Sequence, residues 1–122
     1  RPLSLEGGGD GLLDFTYIDD LVNGMIRALA LHGGNGESDT FNITYGSARS
    51  IAELADIVKK IIPNTILETR PKALDKPIRG TLRMDKARER LGFYPKWPIE
   101  DGYKKYCEWY VTQWEKVMRT NV

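Results

Sequence analysis

The sequence predicts an α/β-class chain in an α+β arrangement: a small helix-rich domain with a few short strands and no complete Rossmann domain. Three observations carry that expectation. Apolar residues recur at helical spacing in several segments, while runs that alternate like strands are few and short. The turn-formers Gly, Pro, Asn and Ser separate the periodic segments at short intervals. Neither G-x-G-x-x-G nor G-x-x-G-x-x-G occurs, so the strand-to-helix turn that cradles a dinucleotide's pyrophosphate is missing.

The first glycine cluster, Gly7-Gly8-Gly9-Asp10-Gly11, reads as a hairpin or loop. A phosphate cradle would lead from a strand into a helix, whereas this cluster leads into the strand-like Phe15-Thr16-Tyr17-Ile18. Asp19 or Asp20 is then placed to cap a helix whose Val22, Met25, Ile26 and Leu29 form one buried face. That helix should stop near His32-Gly33-Gly34. His32 is the only histidine and reads as a helix-end residue, so no metal site is expected.

Thr40 to Thr44 is a second strand candidate, followed by a turn at Tyr45-Gly46-Ser47. Its Asn42-Ile43-Thr44 fits a glycosylation sequon, which we read as coincidental. Ser50-Ile51-Ala52-Glu53 is a capping box, in which the hydroxyl and the carboxylate satisfy free amides at a helix start. Ile51, Leu54, Ala55, Val58 and Ile61 give that helix its apolar stripe, and Pro63 ends it. Thr65 to Thr69 alternates like a strand, and Pro71 to Gly80 lacks periodicity and predicts a loop. Met84 to Leu91 is a short helix closed by Gly92. Pro95 and Pro98 frame a connection to a last helix with Tyr103, Tyr106, Cys107, Tyr110, Trp114 and Val117 along one side. Such a stripe reads as core packing rather than a base-stacking platform, with Cys107 a small buried hydrophobe and not a nucleophile.

At 122 residues, folding would bury roughly 65% of the unfolded surface, enough for one domain. With 41% hydrophobic and 29% charged residues, neither disorder nor a membrane protein is favoured. No signal pattern or spanning run is visible and one cysteine cannot form an internal disulfide, so a cytoplasmic setting is the expectation. The start at Arg1-Pro2 reads as a piece of a longer protein, and the polar residues 119–122 read as a natural end.

Net charge is only +1, yet Arg70, Lys72, Lys76, Arg79, Arg83, Lys86, Arg88 and Arg90 stand against Asp75, Asp85 and Glu89. This excess suits a phosphate-bearing ligand or, as the alternative, a solvated face. No Tyr is followed four residues later by Lys, so the pair that would acidify a catalytic phenol is also missing.

Three blocks then align in order: Asp14-Phe15-Thr16-Tyr17-Ile18-Asp19-Asp20; Phe41-Asn42-Ile43 with Ser50-Ile51-Ala52-Glu53-Leu54-Ala55; and Arg79-Gly80-Thr81-Leu82 through Lys86-Ala87, Leu91-Gly92-Phe93-Tyr94-Pro95 and Asp101-Gly102-Tyr103 to Tyr110. Together they resemble the carboxy-terminal third of the extended short-chain dehydrogenase/reductases, the nucleotide-sugar epimerases and dehydratases. The resemblance implies a substrate-binding domain, 1–122, whose amino-terminal dinucleotide-binding partner is absent. It implies NAD or NADP for the parent enzyme and none in this chain. The implied ligand is a UDP-, dTDP- or GDP-linked sugar, with no catalytic residue here.

Arg79 matches a position where the family often places an arginine ahead of its D-x-x-K-A segment, and Arg70 is a second candidate. A planar guanidinium suits a diphosphate because it binds two oxygens at once. Two departures stand out: Leu13 where the family commonly has Arg before Asp-Phe, and Arg83 at the acidic position of D-x-x-K-A. The competing reading is a non-catalytic module for a polyanion or nucleic acid; it is disfavoured because the basic residues are not interleaved with exposed aromatics.

Overall fold

Helix formation in this chain is decided by local caps at some ends and by distant partners at others. The computed structural model describes residues 2–32, 38–73 and 77–120, with side chains at all of these except 32 and 115–120. In order they form β1 (Leu3–Glu6), a 3₁₀ turn (Gly7–Gly9), β2 (Leu12–Leu13), α1 (Ile18–His32), β3 (Arg49–Ser50), α2 (Ile51–Ile61), β4 (Leu67–Arg70), α3 (Asp85–Leu91) and α4 (Ile99–Thr120). β1 pairs in parallel with β4, Leu3 opposite Leu67 and Glu6 opposite Arg70. β2 pairs antiparallel with β3. This is the small α+β domain expected from the sequence.

The glycine cluster is a turn rather than a hairpin, because β1 and β2 do not pair with one another. Gly9 has φ +81°, and a Cβ there would fall 2.7 Å from the Ala52 amide nitrogen. Only glycine fits both demands, which lets the turn press against the first residues of α2.

Ser50 caps α2 as its sequence requires. Its hydroxyl accepts the Glu53 amide at 3.1 Å, and the Glu53 carboxylate accepts the Ser50 amide at 2.7 Å. The Ser50 amide holds the Glu53 carboxyl below the usual carboxylate range, with Arg49 and the Ser50 hydroxyl adding to the effect. Gly92, at φ +59°, closes α3, so that the amides of Gly92 and Phe93 bond the carbonyls of Arg88 and Ala87. The core gathers there: Met84, Ala87, Leu91 and a fully buried Phe93 pack with Ala28, Phe41 and Ile43. Ala55, Ile57 and Val58 of α2 are also buried.

Five expectations are corrected. Phe15 to Ile18 is not a strand: residues 14–17 are irregular and Ile18 begins α1. β-propensity loses here because the segment has no strand beside it among the described residues, while the amides of Asp20 and Leu21 already bond the Tyr17 carbonyl. Asp20 is not a cap; it is buried and accepts the Lys96 and Trp97 amides at 2.9 Å. Thr40 to Thr44 is likewise irregular, its polar groups bonding Asp14 and the Arg83 carbonyl instead of a ladder.

The fourth correction concerns α1, which faces the opposite way from its hydrophobic pattern. Asp20 and Gly24 are buried and Ala28 half-buried, one row at i, i+4, i+8, and a Cβ on Gly24 would lie 2.4 Å from Ile43 Cγ2. Val22, Met25, Ile26 and Leu29 are 44%, 55%, 59% and 70% exposed. The small row wins the intrachain contact because only it allows the helix this close to Ile43. The fifth concerns the aromatic stripe of α4: Tyr103 and Cys107 are half-buried, but Tyr106, Tyr110 and Trp114 are about half exposed. Their rings stack along the helix surface, Tyr110 on Trp114 at 6.4 Å. Val117 lies outside the described side chains. Strand Thr65 to Thr69 is present but shifted, as β4.

Candidate functional site

Asp14 organises the region around the basic loop. Its carboxylate accepts three hydrogen bonds from two separate parts of the chain: the Thr44 hydroxyl at 3.1 Å, the Gly46 amide at 3.0 Å and the Leu82 amide at 3.1 Å. Two further bonds tie the same loop down. The Thr81 hydroxyl accepts the Ala48 amide at 2.9 Å, and the Asn42 side chain donates to the Arg83 carbonyl at 2.9 Å. Residues 81–83 are therefore fixed, and Arg79 stands just ahead of the anchored stretch.

Arg79 is exposed and makes no hydrogen bond or ion pair among the described residues. Arg70 ends β4, also exposed, opposite Glu6 in register. No contact joins the two arginines. Much of the remaining positive charge meets the chain's own carboxylates: Arg83 pairs with Asp85 at 2.6 Å, Lys72 with Asp10 at 2.7 Å, and both Lys86 and Arg90 with Asp39. The hydrogen bond from Lys86 holds the Asp39 carboxyl below the ordinary carboxylate range, against the partial burial that raises it. Lys76 and Asp75 lie outside the described residues.

Leu13, where an additional arginine was expected by resemblance, is half-buried in β2 opposite Arg49. Arg49 does not replace that contact, because its guanidinium is held by Glu53 at 2.8 Å and Glu100 at 2.9 Å. The role of Asp14 is not visible in the sequence. The donors that define that role are 30, 32 and 68 positions away.

Two cavities flank α4. One, of about 270 Å³, is lined mainly by apolar groups including Phe15, Tyr17, Trp97, Tyr103 and Tyr106. The Lys105 ammonium lies 4.0 Å from the ring centre of Trp97, one of the lining residues. The other, about 400 Å³, lies among Arg49, Glu53, Lys60, Glu100 and Lys104. Neither is lined by Arg70 or Arg79, so the arginines address an open surface. Burial pushes the Cys107 thiol up, which opposes a thiolate role. Among the described residues no three His, Cys, Asp or Glu side chains could hold a metal ion. No described helix is long and apolar enough to cross a membrane.

The glycine turn does not fit the pyrophosphate of a nicotinamide dinucleotide. The glycine turn packs on the Ala52 backbone and runs into β2 rather than into a helix, so its amides offer no pyrophosphate cradle.

In sequence and fold, this chain is similar to the carboxy-terminal region of the extended short-chain dehydrogenase/reductases, a group that includes nucleotide-sugar epimerases and decarboxylases. UDP-glucuronic acid decarboxylase 1 of Arabidopsis thaliana is 29% identical over 103 residues, covering 84% of this chain and 23% of that protein. The structure of UDP-glucose 4-epimerase with UDP-glucose from Thermotoga maritima superposes with TM-score 0.79 at 25% identity, over 93% of this chain and 36% of that one. WbmF of Bordetella bronchiseptica, solved in complex with NADH, gives TM-score 0.72 at 32% identity over 98% and 36%. The chain thus spans about a quarter of the first curated relative and about a third of the solved enzymes. No protein-family model matches the chain.

Proposed function

We propose that this chain is the nucleotide-sugar-binding part of an NAD-dependent epimerase, dehydratase or decarboxylase and does not turn substrate over alone. One observation carries the reading: nearly all of this chain matches only about a third of enzymes solved with UDP-glucose or NADH. The chain also has no G-x-G-x-x-G and no Tyr-x-x-x-Lys. In this reading a separate dinucleotide-binding domain brings NAD or NADP and the proton-transfer groups, and the sugar lies between the two halves. Arg79 binds the diphosphate, Arg70 supports it from the end of β4, and Asp14 keeps the Arg79 loop in place. The relatives' substrates favour a UDP-linked ligand over dTDP or GDP.

The polyanion-module alternative is weakened by Asp10, Asp39 and Asp85, which engage four of the cations it would need. Calorimetric titration with UDP-glucose and UDP-glucuronic acid tests the proposal. Arg79→Ala should weaken binding by about 10- to 100-fold, the loss of a charge-assisted pair of hydrogen bonds. Turnover by these 122 residues alone, or an affinity indifferent to Arg79→Ala, would overturn it.

A further inference from the structure

We infer that Arg49 is a positioning residue for the Arg79 loop: it ties the strand pair that carries both of the loop's anchors to the first turns of α2 and α4. This rests on the reading above for the part Arg79 plays, and adds what keeps that arginine's loop in place from outside the site.

The two anchors are neighbours. Leu82 is held by the Asp14 carboxylate, and Thr81 by the Ala48 amide. Asp14 directly follows β2 and Ala48 directly precedes β3. Within that pair Leu13 stands opposite Arg49, so the residues beside the two anchors face each other in register. The β2–β3 ladder is therefore the base on which Thr81 and Leu82 are fastened.

That base needs support. Each strand is two residues long, with one further bond from the Ile51 amide to the Gly11 carbonyl at 3.0 Å, and so short a ladder is marginal in water. Arg49 supplies what the backbone lacks. Its Nε donates to Glu53 Oε1 at 2.8 Å, and its Nη1 reaches Glu100 Oε1 at 2.9 Å. The Glu53 carboxylate is itself fixed, because its other oxygen accepts the Ser50 amide in the capping box of α2. Glu100 lies in the first turn of α4. One guanidinium thus joins β3 to two helices through separate nitrogens, a fork that the point charge of a lysine does not reproduce.

The experiment follows amide hydrogen exchange by NMR in the chain and in its Arg49→Met and Glu100→Gln variants. Methionine keeps much of the stem and removes the fork. Glu100→Gln breaks the link from the α4 side without touching β3, and it answers the question should Arg49→Met fail to fold. The Leu82 and Ala48 amides should exchange about 5-fold faster in Arg49→Met and about 2-fold faster in Glu100→Gln, as for the loss of two part-exposed ion pairs and of one. Arg49→Lys should fall between Arg49→Met and the parent. The Phe93 amide, bonded to the Ala87 carbonyl, and the Leu3 amide, bonded to the Ile66 carbonyl, should keep the parent's rates.

UDP-glucose titration gives a second readout. Arg49→Met should weaken binding about 5-fold in the parent and no further in an Arg79→Ala background, because Arg49 acts through that arginine. Absence of UDP-glucose binding by the unsubstituted chain would sink the sugar-binding reading alone, since the exchange rates decide the role of Arg49 in the loop by themselves. Exchange that quickens equally at Leu82, Ala48, Phe93 and Leu3 would make Arg49 a general stabiliser and overturn the inference. Unchanged exchange at Leu82 and Ala48 in both variants would overturn it as well.

Discussion

Replacing Asp14 by alanine removes the anchor of the Arg79 loop. The lost bonds come from Thr44, Gly46 and Leu82 at 3.0 to 3.1 Å. Bonds to a buried charge are worth about 1.5–3 kcal/mol each, but Asp14 is only half-buried and water can reach the Leu82 amide. A value of about 1 kcal/mol per bond is therefore the appropriate one, giving a loss of about 3 kcal/mol. With a urea slope of about 1.5 kcal/mol per molar, the unfolding midpoint should drop by about 2 M. An asparagine at this position would keep one accepting oxygen but turn an NH₂ toward a donor, so Asp14→Asn should lose roughly half as much. Tryptophan fluorescence during urea unfolding reads the midpoint, and UDP-glucose titration at low urea reads the site. In an Arg79→Ala background, Asp14→Asn should weaken UDP-glucose no further, because the anchor acts through that arginine. An alanine variant whose midpoint stays within about 0.3 M of the parent would refute the reasoning, since three made bonds cannot vanish without cost.

Gly24→Ala should destabilise the fold although alanine favours helix by about 1 kcal/mol, because the new methyl meets Ile43 at 2.4 Å and overpacking costs about 1–3 kcal/mol; a raised thermal midpoint would contradict this. Ser50→Ala should cost about 1 kcal/mol, or about 4 °C in melting temperature, through loss of the capping box, with helix content read by circular dichroism. Asp39→Asn tests a pH dependence. The Asp39 carboxyl is depressed in the folded chain, first by the Lys86 hydrogen bond, so its stabilisation is complete above the ordinary aspartate pKa of about 3.9 and is lost as pH falls through the lower folded value. The melting gap between parent and Asp39→Asn should be flat above about pH 5 and close in acid; a gap that grows in acid would show the sign to be wrong.

What was legible in the sequence was written in neighbouring residues. Ser50 and Glu53 are three apart, Gly92 follows its helix directly, and Pro63 stops α2 where it stands, so those features needed no knowledge of the rest of the fold. The faces of α1 and α4 were not legible, because periodicity reports that a helix has an apolar side without saying what covers it. Phe15 to Ile18 has strand composition, but a strand requires a neighbour to pair with. Arg79 could be proposed from residue type and order alone. Asp14 could not, since its role exists only once Thr44, Gly46 and Leu82 have been brought to it from other parts of the chain.

The parallel register of β1 and β4 has a kinetic consequence. Leu3 must find Leu67 across more than half the chain, whereas α2 can nucleate from its own cap. Closing so long a loop is entropically uphill until the intervening helices have condensed, and parallel pairing is intrinsically slow. During synthesis β1 therefore leaves the ribosome well ahead of β4, and this pair closes only after the segments between them have assembled.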